Sequence, residues 1–347
     1  MKSEVILIAV AALIASALLT GAVRRLALRH GILDVPNERS SHDRVVPRGG
    51  GVAVFLIASI AYIVLAVYGI VSRELLLALL GGGTAVAAIG LLDDRYRVPA
   101  SLRLVVHFAA AVWAVVCVGE PLMVRVGSQL VTLSWVGYAV AAIAIVWVLN
   151  LFNFMDGIDG IAASETVFVA FGVTASFVLT GITFPLYAVC LAFGAACLGF
   201  LLWNWPPAKI FMGDVGSGYM GYVVGVLTLA ATRVNPSALW IWLILGGVFF
   251  VDATVTLLRR LLTGQKVYQA HRSHAYQHLV RWCGSHRRVT LGVIAVNILW
   301  LLPCALLAAR YPERGLVIAI VTWVPLVIGA IAAGAGRRER LSTPAPC

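Results

Sequence analysis

Eleven stretches of this chain stay apolar for about twenty residues at a time, and that feature decides most of what it folds into. A run of that length crosses the hydrocarbon core of a bilayer as one helix, whereas a membrane β-strand needs only about ten residues of alternating character. Backbone polar groups in lipid must bond within their own segment, so uninterrupted apolar runs become helices. The runs cover about 4–23, 49–70, 75–92, 101–119, 131–152, 161–180, 184–202, 215–232, 237–258, 289–309 and 315–335. Composition agrees: 61% of residues are hydrophobic and 12% charged, against about 25% charged in an average soluble domain. The mean hydropathy is +0.96. The expectation is one all-α integral membrane domain over 1–347, a polytopic bundle of about 11 transmembrane helices, with 10 as the alternative count.

Charge then orients the bundle. The first run has Lys2 before it and Arg24, Arg25 and Arg29 after it. It lacks a short apolar core and a small-residue cleavage site, so it reads as a retained span. The asymmetry puts the N-terminus outside. The inner loops are then 24–48, 93–100, 153–160, 203–214, 259–288 and the tail 336–347. With Arg103 at a span edge, they hold 20 of the 26 Lys and Arg, as the positive-inside rule demands. The net charge of +11 is therefore explained by topology and anionic lipid, and nucleic acid is not an expected partner. Cys117, Cys190, Cys197 and Cys304 lie inside apolar runs and read as packing residues. The outer segment 120–130 is a candidate hairpin.

The 15 acidic residues carry a separate signal. Asp34, Asp43, Asp93, Asp94, Asp156, Asp159, Asp214 and Asp252 fall on or near the inner face, while Glu4, Glu74, Glu120 and Glu313 fall outside. Ionisable groups near a bilayer are costly and usually face a cavity or a pathway. Between Asn150 and Gly160 the chain reads Asn-Leu-Phe-Asn-Phe-Met-Asp-Gly-Ile-Asp-Gly. Asn153, Asp156 and Asp159 recur every three residues beside glycines that let backbone approach a ligand. Oxygen donors of this kind suit Mg²⁺, or Mn²⁺, rather than zinc. The plain alternative is helix capping at a span boundary.

Asp93-Asp94 repel each other and need a divalent ion, a shared proton or nearby cations, unless they form a solvated turn. Lys209-Ile-Phe211-Met-Gly-Asp214-Val-Gly-Ser-Gly joins an acid to a glycine-rich turn entering a helix, where backbone N–H groups can hold phosphate. It lacks the spacing of a Walker A loop, and its later Gly221 and Gly225 read as a packing face. Two cation-rich segments suit polyphosphate: His271-Arg272-Ser273-His274 with Arg259, Arg260 and Lys266, and the Arg39, His42 and Arg48 segment. His278 and His286 read as solvated loop residues, and Asp252 as holding Arg259 or Arg260.

In this order the motifs resemble the polyprenyl-phosphate N-acetylhexosamine-1-phosphate transferases, which include peptidoglycan translocase I. The matching pieces are Asp34-Val-Pro-Asn-Glu-Arg39-Ser-Ser-His42 with Pro47-Arg-Gly-Gly, Asp93-Asp94, Asn150-x-x-Asn153-x-x-Asp156-Gly-x-Asp159-Gly, Phe211-Met-Gly-Asp214-x-Gly-Ser217 and His271-x-x-His274. The resemblance implies transfer of a sugar 1-phosphate from a UDP-N-acetylhexosamine to undecaprenyl phosphate, with release of UMP and with Mg²⁺. It implies catalytic roles for Asp93, Asp94, Asp156 and Asp159, with Asp93 the candidate base, and metal ligation by Asp214 with Asn153. Substrate would be bound by Arg39, His42, Arg48, Asn150, Lys209, Phe211 (on uracil), His271, Arg272 and His274. It further implies a multi-pass protein of the bacterial inner membrane, with its site at the cytoplasmic face and 259–288 as the loop that recognises sugar and phosphate. A homodimer is left open.

The chain departs from translocase I in two places. Arg97 stands where those enzymes tend to carry Lys, and His-Arg-Ser-His replaces a run of three histidines. That resembles the O-antigen and common-antigen branch, with UDP-GlcNAc or a 6-deoxy relative as donor, over a MurNAc-pentapeptide translocase. A CDP-alcohol phosphatidyltransferase would need an Arg that Asp156-Gly-Ile-Asp-Gly-Ile-Ala lacks. An ion-coupled transporter would carry its charges near the midplane, and these acids sit at span ends.

Overall fold

The computed structural model describes residues 3–36, 44–96, 98–119, 122–265 and 271–337. Arg39, His42, Arg97, Lys266 and the tail beyond 337 lie outside them. Each expected apolar run is helical over most of its length. Nine helices among the described residues are long and apolar enough to cross a bilayer. In chain order the helices are α1 (Ser3–Arg29), the shorter α2 (Gly51–Val67), α3 (Arg73–Tyr96), α4 (Ala100–Val118), α5 (Ser134–Met155), α6 (Ile161–Leu179), α7 (Tyr187–Asn204) and α8 (Asp214–Val234). Then come α9 (Ala238–Leu245), α10 (Gly247–Leu262), α11 (Ala275–Cys283), α12 (His286–Arg310) and α13 (Gly315–Ala332).

Two expectations change. The run 237–258 is not one straight span but the pair α9 and α10, bent by 73°. Gly246 and Gly247 stand at the break, where the helix is easiest to interrupt, and Trp323 donates to the Leu243 carbonyl there at 3.0 Å. The segment 259–288 is not a continuous loop. Helix α10 runs into it to Leu262, α11 forms within it and α12 begins at His286.

Most helices are apolar around their whole circumference, because lipid rather than water surrounds them. Burial therefore marks the centre better than sequence does. Helix α8 is buried over 94% of its most apolar stretch, whereas α12 is buried over only 22%. Helices α2, α3, α4 and α5 pack around α8, α1 joins α2 on α7, and α12 and α13 form the far flank against α9 and α10. Small residues set the closest crossing. A Cβ on Gly51 would overlap the Cα of Gly216, so α2 and α8 touch backbone to backbone.

Two short antiparallel ribbons sit at the ends of the bundle. Strands β1 (Leu33–Asp34) and β2 (Val46–Pro47) pair Leu33 with Pro47 and Asp34 with Val46. Strands β3 (Met123–Val126) and β4 (Gln129–Thr132) form the hairpin expected in 120–130, turning through Gly127 at φ +62°.

The interior holds one acid away from that end of the bundle where the charged residues gather. Glu165 of α6 is 1% exposed, and Asn297 of α12 donates to its Oε2 at 2.6 Å. Asn297 opens a π turn, Asn297–Leu301, which widens α12 at the contact. Replacing Glu165 by Leu would strand the Asn297 amide in an apolar interior, a cost of about 1 kcal/mol. Thermal unfolding of the detergent-solubilised protein should fall by a few degrees in Glu165→Leu and stay near wild type in Glu165→Gln. Equal melting of the two variants would remove the bond from the account of stability.

Candidate active site

Four elements bring charge to one end of the bundle. Asp93 and Asp94 lie in the last turn of α3, Arg103 in the first turn of α4 and Asp214 at the start of α8, while Arg48 precedes α2. Asp214 sits between two guanidiniums. Arg48 Nη2 is 3.0 Å from its Oδ1 and Arg103 Nη1 is 3.0 Å from its Oδ2. Arg48 also holds Asp94 Oδ1 at 2.8 Å, and Arg103 holds Asp93 Oδ2. Asp93 Oδ1 accepts from Val98 N at 2.6 Å.

Asp94 has a second task. Its carboxylate accepts from the backbone N–H groups of Asp214 at 2.9 Å and Val215 at 3.3 Å. It thus caps α8 from another helix, satisfying two orphan donors at the positive end of the helix dipole. This approach requires glycine at 213. Its φ of +78° is left-handed, and a Cβ there would overlap Asp94 Oδ2. Backbone bonds hold the neighbouring loop in place: Phe211 N donates to Pro47 O at 2.8 Å, and Gly50 N donates to Phe211 O at 2.9 Å.

Asp156 follows α5 and feels the same cluster. Burial first, then Asp214, pushes its carboxyl well above the usual range; Arg48 opposes this while Asp94 and Asp159 add to it. For Arg48, burial favours the neutral form, but Asp94, Asp214, Asp34 and Asp156 outweigh it and raise the guanidinium above its ordinary value. Three carboxylates, those of Asp93, Asp94 and Asp214, thus meet two guanidiniums, a formal surplus of one negative charge, with Asp156 beside them. That surplus and the all-oxygen donor set suit one divalent cation. Among the described residues no three acids, histidines or cysteines stand close enough to enclose an ion; the arginines bridge the carboxylates instead. A cleft of about 630 Å³ opens here, and Asp34, Arg48, Asp93, Asp94, Arg95 and Tyr96 are among its lining residues.

The remaining expected residues sit around this centre. Asn153 is half-buried one turn before Asp156. Asn150 Nδ2 donates to Val146 O of its own helix at 2.7 Å. Asp159 Oδ2 accepts from Ala208 N at 3.0 Å, and Oδ1 lies 3.2 Å from His286 Nδ1. Lys209 is exposed, with its ammonium 5.7 Å from the Trp203 ring centre. Its carbonyl accepts from Arg24.

The histidine motif forms a separate group. His274 is buried beside Asp252, with Nδ1 3.4 Å from Oδ1, and its ring stacks on His271 at 5.0 Å. Burial foremost, then His274 and Arg260, pushes His271 down to about 4, so its imidazole is neutral at neutral pH. Arg272 accepts from Arg281 through its carbonyl. The Asp252 carboxylate accepts from Ala275 N at 2.8 Å and Tyr276 N at 3.0 Å, capping α11. This corrects the expectation that Asp252 holds an arginine: Arg259 donates to Ala335 O, and Arg260 to Gln265 and Ser273. The two groups meet at residues 154–157. His274 stacks on Phe154 at 6.4 Å, and the Tyr276 hydroxyl donates to Phe154 O at 3.0 Å.

Several contributors are new. Arg103 counted in the sequence only as a topological charge, although an arginine so near a span opposite acids was a usable signal. Buried Asn204 accepts from Gly160 N and donates to Ile210 O, tying the 160 turn to the 210 loop. His286 is not solvated but bound to Asp159, and His278 is half-buried with Arg281 at 2.9 Å.

The fold and site define a multi-pass membrane protein with a charged, oxygen-rich centre at one end of its helices, a construction suited to phosphorylated substrates. A match to the family described as "Glycosyl transferase family 4" covers residues 76–232. The chain is 31% identical over 288 residues to a Bacillus subtilis (strain 168) protein called "Probable undecaprenyl-phosphate N-acetylglucosaminyl 1-phosphate transferase", covering 82% of this chain and 79% of that one. It is 30% identical over 331 residues to the Escherichia coli (strain K12) "Undecaprenyl-phosphate alpha-N-acetylglucosaminyl 1-phosphate transferase", covering 89% and 83%. A "Decaprenyl-phosphate N-acetylglucosaminephosphotransferase" of Mycolicibacterium smegmatis is 30% identical, covering 84% and 80%. The chain belongs to the polyprenyl-phosphate N-acetylhexosamine-1-phosphate transferases of glycosyl transferase family 4.

Gly213→Ala should displace the Asp94 cap, since the left-handed backbone and the overlap act together. Amide exchange at Asp214 and Val215 should accelerate by roughly tenfold or more, the loss of about 1.4 kcal/mol of local protection. Unchanged exchange at both amides would show that Asp94 does not hold the start of α8.

Proposed function

We propose that the protein transfers N-acetylglucosamine 1-phosphate from UDP-GlcNAc to undecaprenyl phosphate at the cytoplasmic face of a bacterial inner membrane, starting an envelope glycan. One observation carries the reading: Asp214 held between Arg48 and Arg103, with Asp93, Asp94 and Asp156 around it. Phosphoryl transfer asks mainly for alignment and charge neutralisation, and this centre offers groups of both signs. The names of the relatives favour an N-acetylglucosaminyl donor over MurNAc-pentapeptide.

Mg²⁺, with Mn²⁺ as a substitute, would be held by Asp214 and Asn153, and would neutralise charge on the diphosphate. Arg48 and Arg103 would turn from the carboxylates to the phosphates, as two-pronged donors for which guanidinium is well shaped. Asp93 and Asp94 would position the lipid phosphate. One of its oxygens bonds to the sugar-bearing phosphorus, the bond from that phosphorus to UMP breaks, and UMP leaves. The attacking phosphate can act as its own dianion, so Asp93 serves as base or as orienting group. Asp156 and Asp159 would border the nucleotide-sugar, Phe211 would stack on uracil, and Asn150, Lys209, His271, Arg272 and His274 would reach sugar and phosphates, together with Arg39 and His42.

Purified protein given radiolabelled UDP-GlcNAc and undecaprenyl phosphate should yield a lipid-linked GlcNAc diphosphate and an equal amount of UMP. Chelation should abolish both products and added Mg²⁺ restore them. No lipid-linked product across a panel of UDP-N-acetylhexosamines would overturn the reading. Asp214→Asn should lower kcat by about 100-fold or more, the scale of losing one charge-stabilising group. Near-normal turnover would move the cation elsewhere.

A further inference from the structure

A second cavity lies away from the acids, between α10, α11, α12 and α13. It measures about 440 Å³ and its walls are mostly aliphatic, including Val251, Leu279, Val293 and Leu326. Gly292 of α12 and Gly329 of α13 both line it, and a Cβ built on either meets nothing within 4 Å. The groove is therefore open where two side chains are missing. Helices α12 and α13 expose most of their surface to lipid. Enclosed apolar cavities stay dry, and a groove with such walls suits hydrocarbon better than water.

Its mouth has a definite charge. Arg288 lines it and is exposed, and among the described residues its side chain bonds only to the Cys283 carbonyl, at 3.5 Å. Arg287 beside it is exposed too, as is Trp282 of α11 at 83%. An indole next to arginines is the usual marker of headgroup level. Asp252 is the one acid in the lining, and its oxygens are taken by Ala275 N, Tyr276 N and the Thr256 hydroxyl. Apolar walls with a rim cation that meets no carboxylate among the described residues match a lipid with one acyl chain inside and a phosphate at the mouth.

We propose that this groove is a binding site for an anionic glycerophospholipid, with one acyl chain along Gly292 and Gly329 and its phosphate on Arg288. The lipid acceptor of the reaction is a poorer fit. None of Asp93, Asp94 and Asp214 lines the groove, so a phosphate on Arg288 is not at the acidic centre. The occupant still bears on that centre. The groove's inner wall is Asp252, Ala275 and Tyr276, and Tyr276 presses on Phe154 and Gly157 beside Asp156. A bound chain braces α11 and, through it, the 154–157 turn.

The test is native mass spectrometry of the full chain released from nanodiscs of equal parts phosphatidylglycerol and phosphatidylcholine, a readout independent of any transferase assay. Wild type should retain one phospholipid, with phosphatidylglycerol favoured roughly fivefold for one arginine at the headgroup. Arg288→Gln should keep the lipid and lose the preference. Gly292→Leu and Gly329→Leu, whose side chains enter open space, should each elute as the folded protein without the lipid. Wild type without a retained lipid, or without a preference between the two, would overturn the proposal. So would displacement of the retained lipid by equimolar undecaprenyl phosphate, which would make the groove the acceptor site.

Discussion

The structure turns on holding the Asp214 carboxylate between two guanidiniums at the end of an apolar bundle. Carboxylates taken from water carry a large desolvation penalty, and a partner on one side seldom offsets it. Here both oxygens are occupied, by guanidiniums from separate elements, and each guanidinium reaches a further carboxylate. The bridging needs α3, α4, α8 and the strand before α2 to end at the same depth. Backbone contact at Gly51 and Gly216 and the burial of α8 set that depth.

The histidine motif joins this centre by backbone and ring contacts rather than by charge. Asp252 caps α11, α11 presents Tyr276 and His274, and both lean on Phe154. Burial foremost, then Asp252 and Asp156, keeps the Tyr276 phenol protonated, so it acts as a donor to that carbonyl. Movement of α11 therefore reaches the turn that carries Asp156 without any salt bridge between them.

The spans were legible because a run of apolar residues is a one-dimensional property, and eleven runs became helical segments at the expected places. The 73° break was not, because the apolar run continues through Gly246; only the Gly246-Gly247 pair hinted at it. The same limit hid α11, a nine-residue helix whose start is fixed by Asp252 from another element. At the centre, sequence offered residue types and spacing but not partners. Asp93, Asp94 and Asp214 stood out as acids, yet Arg103, which joins two of them, looked like one more inner-face charge. His286 was read as a loop residue for the same reason, since Asp159 lies 127 positions away.

The cap that Asp94 places on α8 has an electrical consequence. The aligned peptides of that helix leave roughly half a positive charge at its first turn. Because α8 is the most enclosed helix of the bundle, that half-charge is a permanent part of the scaffold, beyond the reach of titration or salt. The centre therefore has a built-in counter-field that belongs to no side chain. A substitution that frays the first turn of α8 would alter the electrostatics of every acid around it, without touching one of them.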